Sequence, residues 1–164
     1  MPAIYVGTYA KYISGNLYGA WLNLEDYASK EEFLEACREL HNDENDPEFM
    51  FQDWENVPSG MVSESHIDDE LWEWLELDGD DRKLLAIYRE HVDANGTIEQ
   101  ARDAFLGRAE SKAEFAEQYY EDTGMLDGCP EHLRHYISWH AVARDMEYDW
   151  DFVYVDGEYW VFSR

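Results

Sequence analysis

The sequence predicts an α+β protein: small antiparallel-sheet ends joined by a helical middle, with an elongated form. Three observations carry this. Strand-like runs rich in Tyr, Trp and small residues open the chain, and an Asp156-Gly157 hairpin signal closes it. Between them, apolar residues recur at helical spacing behind Ser-x-x-Glu and Thr-x-x-Gln pairs that start helices. Hydrophobic residues make up 45% of the chain and aromatics 16%, so packed cores are affordable despite the charge, and a disordered acidic tail is excluded.

Taken in order, Ile4–Ala10 and Leu17–Leu24 read as strands, with turn chemistry at Ser14-Gly15-Asn16 between them. Ser29 and Glu32 form a capping box, and the helix behind them carries Phe33, Ala36, Cys37 and Leu40 on one face. His41–Pro47 is a polar loop, and Phe49–Trp54 reads as a third strand. Val57-Pro58-Ser59-Gly60 is a linker or sharp turn. Ser65 then caps a helix with Ile67, Leu71, Trp74 and Leu75 on its apolar side, broken at Asp78-Gly79-Asp80.

A second helix with Leu84, Leu85, Tyr88 and Val92 stops at Asn95-Gly96. Thr97 and Gln100 open a third with Ala101, Ala104 and Phe105, closed by Gly107. Ser111 and Glu114 open a fourth with Phe115, Ala116 and Tyr119, stopped at Thr123-Gly124. From Pro130 a single helix through Leu133, Tyr136, Ile137, Trp139, His140, Ala143 and Met146 leads to strands Phe152–Val155 and Glu158–Phe162. This gives three subdomains: 1–61 (α+β), 62–103 (helical) and 104–164 (α+β).

The charge is the anomaly. There are 38 acids, 12 bases and a net charge of −26. The three subdomains hold 12 acids against 3 bases, 13 against 4, and 13 against 5, so the excess is spread along the folded length. Direct binding to nucleic acid or an anionic membrane is excluded, because no basic patch exists to neutralise phosphate. No 18-residue apolar run and no signal-peptide pattern occurs, and two cysteines give no disulfide framework, so a cytoplasmic location is expected.

On composition alone two explanations stand: solubility or salt adaptation, and an anionic surface for a partner that grips a polyanion. The acids singled out for such a surface are Asp68, Asp69, Glu70, Glu73, Glu76, Asp80 and Asp81 in the middle, and Glu114, Glu117, Glu121, Asp145, Glu147 and Asp149 towards the end. Asp69, Glu73 and Glu76 are spaced for one face of the helix from Ser65, opposite Ile67, Leu71 and Trp74.

Chemistry-bearing motifs are scarce. Cys129-x-x-His132-x-x-His135, with His140 beyond, offers one cysteine where structural zinc sites usually pair them, so no metal is expected. The acidic runs at Asp43–Asp46 and Asp78–Asp81 do not have EF-hand spacing. No P-loop, dinucleotide-binding turn or nucleophile elbow is present, and no catalytic residue or cofactor is expected. Cys37 reads as a small core residue.

The stretch from Met125 to the C-terminus resembles the ArdA-type antirestriction proteins. The residues that carry the resemblance are Leu126, Pro130, Glu131, Tyr136 and Ile137, then Ala143-Arg144-Asp145, Asp156-Gly157 and the terminal Tyr159–Phe162 strand. Residues 125–138 align with that family's antirestriction motif, with Ser138 where an acid is expected. Ile4–Tyr9 and Gly19–Leu22 resemble the family's opening strands.

The resemblance implies an acidic protein of mobile elements that mimics DNA, inhibits type I restriction–modification enzymes and is not itself an enzyme. It also implies a homodimer, for which Trp139, Trp150 and Trp160 are the expected contacts, since three indoles within 22 residues are more than one small subdomain easily covers. The alternative is an acidic or salt-adapted adaptor that binds another protein through an exposed aromatic patch.

Overall fold

A computed structural model describes residues 1–164. It is α+β: eight α-helices and two antiparallel three-stranded sheets, packed as two compact units, Met1–Asn95 and Gly96–Arg164. The helices between residues 62 and 103 are therefore divided between the units.

In the first unit, β1 (Ala3–Thr8) lies between β2 (Ala20–Asn23) and β3 (Phe49–Glu55). Ile4 is paired with Leu22 on one side and Trp54 on the other, and the register shifts after Tyr5. Alternation puts Ile4, Val6 and Thr8 on the buried face. Helix α2 (Lys30–Leu40) inserts Phe33 and Cys37, both fully buried, and Phe33 meets Phe51 of β3 at 6.4 Å between ring centroids. Ser29 caps α2 by accepting from Glu32 N, while Glu32 reaches one residue further back to Ala28 N.

Two readings of this unit are corrected. The first strand ends at Thr8, because the Thr8 hydroxyl accepts from Lys11 N and starts a short helix, α1 (Tyr9–Ile13). Nor does a helix begin at Ser65. Val62 and Ile67 form a β-bridge, and Phe51 N donates to Glu64 O, so this stretch runs beside β3. Asp68 then accepts from Glu70 N, a local side-chain turn that competes with helix, and α3 spans only Leu71–Glu76.

Asp78 caps α4 (Gly79–His91) by accepting from Asp81 N. The segment after position 61 packs on the residues before it. Trp72 meets Phe33 at 5.6 Å between tilted rings and donates its indole N–H to Tyr27 O, and Arg82 pairs with Glu25 at 3.0 Å.

In the second unit, Thr97 and Gln100 form the complete capping box of α5 (Ile98–Ala104). Phe105 does not extend that helix. It opens β4 (Phe105–Ala109), which pairs with β6 (Glu158–Ser163), which in turn pairs with β5 (Trp150–Val155). Gly107, expected as a helix stop, lies at the bulge of β4, pairing with Val161 just after the unpaired Leu106. Its φ of 145° suits glycine alone, and the Phe115 ring lies 3.3 Å from where a Cβ would stand. The β5–β6 hairpin turns at Asp156 (φ 51°) and Gly157 (φ 88°), the left-handed pair that a type I′ turn requires.

Helix α6 (Lys112–Asp122) places Phe115 against Phe152 at 5.5 Å, and Phe105 closes the core on Trp160 at 5.4 Å and Phe162 at 5.6 Å. The single helix expected from Pro130 is two: α7 (Glu131–Arg134) and α8 (Trp139–Met146). Ser138 is extended (ψ 98°) and caps α8 by accepting from Ala141 N, so the residue that departs from the expected acid starts a new helix. No helix of the protein is long and apolar enough to cross a membrane.

Candidate functional site: a carboxylate surface

None of the 38 carboxylate residues is buried, and all but Glu44, Asp68, Asp81, Glu147, Asp151 and Glu158, which are half-buried, are exposed. Of the acids singled out from sequence, Asp69 and Glu70 precede α3, Glu73 and Glu76 lie on it, and Asp80 and Asp81 fill the first turn of α4. The single helical stripe of Asp69, Glu73 and Glu76 is thus not formed, since Asp69 lies before the helix and pairs with Lys30 at 2.7 Å. On α6, Glu114, Glu117 and Glu121 are all exposed, while Phe115 and Ala116 are buried. Asp145 is on α8, Glu147 caps its end, and Asp149 sits before β5.

The cations are held locally. At least eight of the twelve Lys and Arg side chains stand within 4.0 Å of a carboxylate of their own chain. Arg89, 3% exposed, also donates to Ser59 O. Four of these cations lie over an aromatic ring as well: Lys11 over Tyr18, Arg82 over Trp74, Arg108 over Trp160 and Lys112 over Tyr159.

One polar cluster lies inside. Lys11, only 8% exposed, donates to His41 Nδ1 (2.8 Å), Asp43 Oδ1 (2.9 Å) and Glu44 Oε2 (2.9 Å). His41 is fully buried, and its Nε2–H donates to Val6 O at 3.0 Å, which leaves Nδ1 as the acceptor for the ammonium. Burial alone would push Lys11 down, but its bonds to Asp43 and Glu44 outweigh that and hold it above the ordinary value. The bond from Lys11 holds both carboxyls below theirs.

His41, Asp43 and Glu44 bring ligand atoms within 4.8 Å of one another, the spacing of a metal site. The Lys11 ammonium already bonds all three, so the cluster supplies its own cation. Sequence reading took 41–47 as a polar loop and missed this cluster. Lys11 is 30 to 33 residues from His41, Asp43 and Glu44, and no local spacing links it to them.

Cys129 lies beside Pro130, while His132, His135 and His140 are exposed, His135 in tilted ring contact with Tyr136. Cys37 is fully buried, which pushes its thiol up to about 12 and leaves it unreactive. Of the motif-like residues, Leu126 is buried and its carbonyl accepts from Arg134. Pro130, Glu131 and Tyr136 are exposed, and Ile137 is half-buried. Trp160 is 4% exposed and covered by its own unit, whereas Trp139, edge-on to Tyr120, and Trp150, against Tyr119, are half-buried. Covering Trp160 within the chain removes one of the three indoles from the argument for a second copy.

The molecule is thus a folded polyanion: apolar cores, carboxylates outside, and most of its cations neutralised by its own acids. A family model described as Antirestriction protein (ArdA) matches residues 4–161, and the chain belongs to that family. No curated protein sequence matches it. Family membership implies an antirestriction role exerted on a restriction–modification enzyme.

Proposed function

We propose that the protein inhibits type I restriction–modification enzymes by presenting its carboxylate surface to their DNA-binding cleft in place of duplex DNA, as a homodimer in the cytoplasm. The observation that carries this reading is that all 38 acids reach the surface while most of the cations are tied to local carboxylates. A cleft built to neutralise phosphates attracts any fixed array of negative charge at similar density. Duplex DNA carries a charge every ~1.7 Å of axis, so a net −26 corresponds to roughly 45 Å of duplex per chain. Long-range attraction raises the rate of encounter, and occupancy of the cleft excludes DNA. No residue of the inhibitor needs to react.

The test is restriction of unmodified DNA in the presence of graded variants. With binding spread over many screened surface pairs, Glu73→Gln or Glu117→Gln alone should change inhibition by less than about five-fold. Neutralising ten or more acids across both units should weaken it progressively. A single conservative acid-to-amide change that abolished inhibition in a folded protein would sink the distributed mechanism. Inhibition that held equally at low and high salt would favour the aromatic-patch adaptor instead. Light scattering at micromolar concentration tests the dimer, and a clean monomer mass would remove it from the proposal.

A further inference from the structure

The second unit has a cleft of about 380 Å³ lined by Tyr119, Tyr120 and Trp150 together with Asp145, Asp149 and Met146. Tyr119 and Trp150 stand 4.7 Å apart at 75°, so the two rings form a corner. The volume falls within the range of small-ligand sites. No Lys or Arg of the chain lines the cleft. Asp149 is exposed, and its carboxylate makes no hydrogen bond or ion pair. Asp145 has only a 3.9 Å approach from its neighbour Arg144, with both side chains about three-quarters exposed.

The chain shows what such a combination holds. Lys11, Arg82, Arg108 and Lys112 each lie 5.1–5.5 Å from an aromatic centroid while pairing with a carboxylate. Both planar guanidinium examples sit over tryptophan, Arg82 on Trp74 and Arg108 on Trp160. The ring quadrupole and the carboxylate act together on one cation, and a guanidinium adds a flat face that stacks and a fork of donors that meets the acid. The cleft likewise is lined by aromatic rings, one of them a tryptophan, and by two acids; Arg144 approaches Asp145 at 3.9 Å but does not line the cleft.

We infer that the cleft formed by Tyr119, Tyr120, Trp150, Asp145 and Asp149 is a binding site for an arginine side chain projecting from the protein that this chain inhibits. The inference rests on the mimic reading for its partner, and the strongly negative field around the cleft supplies the complementarity. It adds to that reading one anchored contact within an otherwise spread interaction. Arginine is the class that fits, because a lysine ammonium lacks the planar face.

The experiment separates the two ideas by first using the protein alone. Nα-acetyl-arginine amide is titrated into the ¹⁵N-labelled full chain, and the Trp150 indole and the amides of Asp145 to Asp149 are followed by NMR. Expected are saturable shifts centred there, at least three-fold larger than those given by Nα-acetyl-lysine amide. Asp149→Asn, an exposed change that leaves the core alone, should reduce the apparent affinity at least three-fold. Trp150→Leu should abolish the focused shifts.

Shifts spread evenly over all acidic residues, or equal shifts from the lysine probe, would overturn the assignment. In restriction assays, the Trp150→Leu, Asp149→Asn double variant should inhibit about ten-fold less well than a double variant of remote acids such as Glu73 and Glu117. Equal inhibition by the two would remove the cleft from the interface. Focused probe binding by a wild-type protein that inhibits no type I enzyme would instead refute the mimic reading.

Discussion

Replacing Lys11 by methionine is the sharpest single test of the first unit. The substitution keeps an unbranched side chain, one atom shorter, and removes the charge. The His41 Nδ1 acceptor, fully buried, loses its donor at 2.8 Å, a loss of about 1–3 kcal/mol for a polar group left unsatisfied. Glu44, partly buried, loses a charge-assisted bond at 2.9 Å but keeps the Thr8 hydroxyl at 2.7 Å, which lowers the cost to about 1 kcal/mol. Asp43 is exposed and is left out of the sum.

The expected loss is therefore about 3 kcal/mol, or a fall in melting temperature of roughly 12–24 °C for the transition of a unit this size. Scanning calorimetry at pH 7 reads it, with Lys30→Met, which breaks a pair to the exposed Asp69, as the control with a much smaller shift. The pH dependence has a definite sign. Asp43 and Glu44 have folded values below their ordinary 3.8 and 4.5, so their contribution is present above those values and lost as pH falls through the folded ones. Lys11 lies above its ordinary 10.5, so its contribution is complete below 10.5 and lost as pH rises through the folded value. The gap between wild type and Lys11→Met should be widest from roughly pH 5 to 10 and close on both sides. A variant melting within about 3 °C of wild type at pH 7 would refute the view that this cluster fastens α1 and the 41–47 loop to β1.

Two further outcomes follow from the structure. Phe33→Ala, at a fully buried ring touching Tyr27, Phe51 and Trp72, should cost about 3–5 kcal/mol in chemical denaturation, and a loss below about 1 kcal/mol would mean that α2 does not anchor this core. Raising salt from about 0.1 M to 1 M shortens the screening length from about 10 Å to 3 Å, so the melting temperature should rise as self-repulsion is screened while inhibition of the restriction enzyme falls; both quantities moving in the same direction would contradict a surface used for electrostatic recognition.

What the sequence makes legible is local. The caps at Ser29, Thr97 and Ser111 and the Asp156-Gly157 turn are each a matter of residues within four positions, and all four form, although only Thr97 closes the full capping box: Glu32 and Glu114 accept from Ala28 N and Glu110 N, one residue before the cap. The α+β class follows from them. Harder are stretches where two local rules compete. Thr8 closes a strand because its hydroxyl caps α1, and Asp68 turns the chain where periodicity asks for helix. Phe105–Ala109 hides as a strand because Gly107, which reads as a stop, stands at a bulge, and Ser138 divides a helix that the spacing of Leu133 and Tyr136 continues. Leu133 and Tyr136 are in fact exposed, so apolar spacing there marks no packed face. The charge of the candidate surface is legible from composition. The grouping of Tyr119, Tyr120 and Trp150 with Asp145 and Asp149 is not, because it depends on how α6, α8 and β5 meet.

A chain with this much like charge must still fold, and the shortness of its helices is part of how it does so. Each helix start carries partial positive charge and each end partial negative charge, within about one turn. Eight short helices therefore provide eight of each. Acids occupy the first turns of α2 to α7: Glu31 and Glu32, Glu73, Asp80 and Asp81, Glu99, Glu114, and Glu131. The few bases gather in last turns, with Lys11, Arg38, Arg89, Arg102, Arg134 and Arg144 on α1, α2, α4, α5, α7 and α8. An acid at a helix start is stabilised by about 0.3–1 kcal/mol, the same order as the repulsion between exposed like charges one turn apart. Placing acids there offsets part of that repulsion while leaving the carboxylates at the surface. The same segmentation that lets the chain fold thus keeps its negative charge outside and evenly spread, which is what the proposed mimicry of duplex DNA requires.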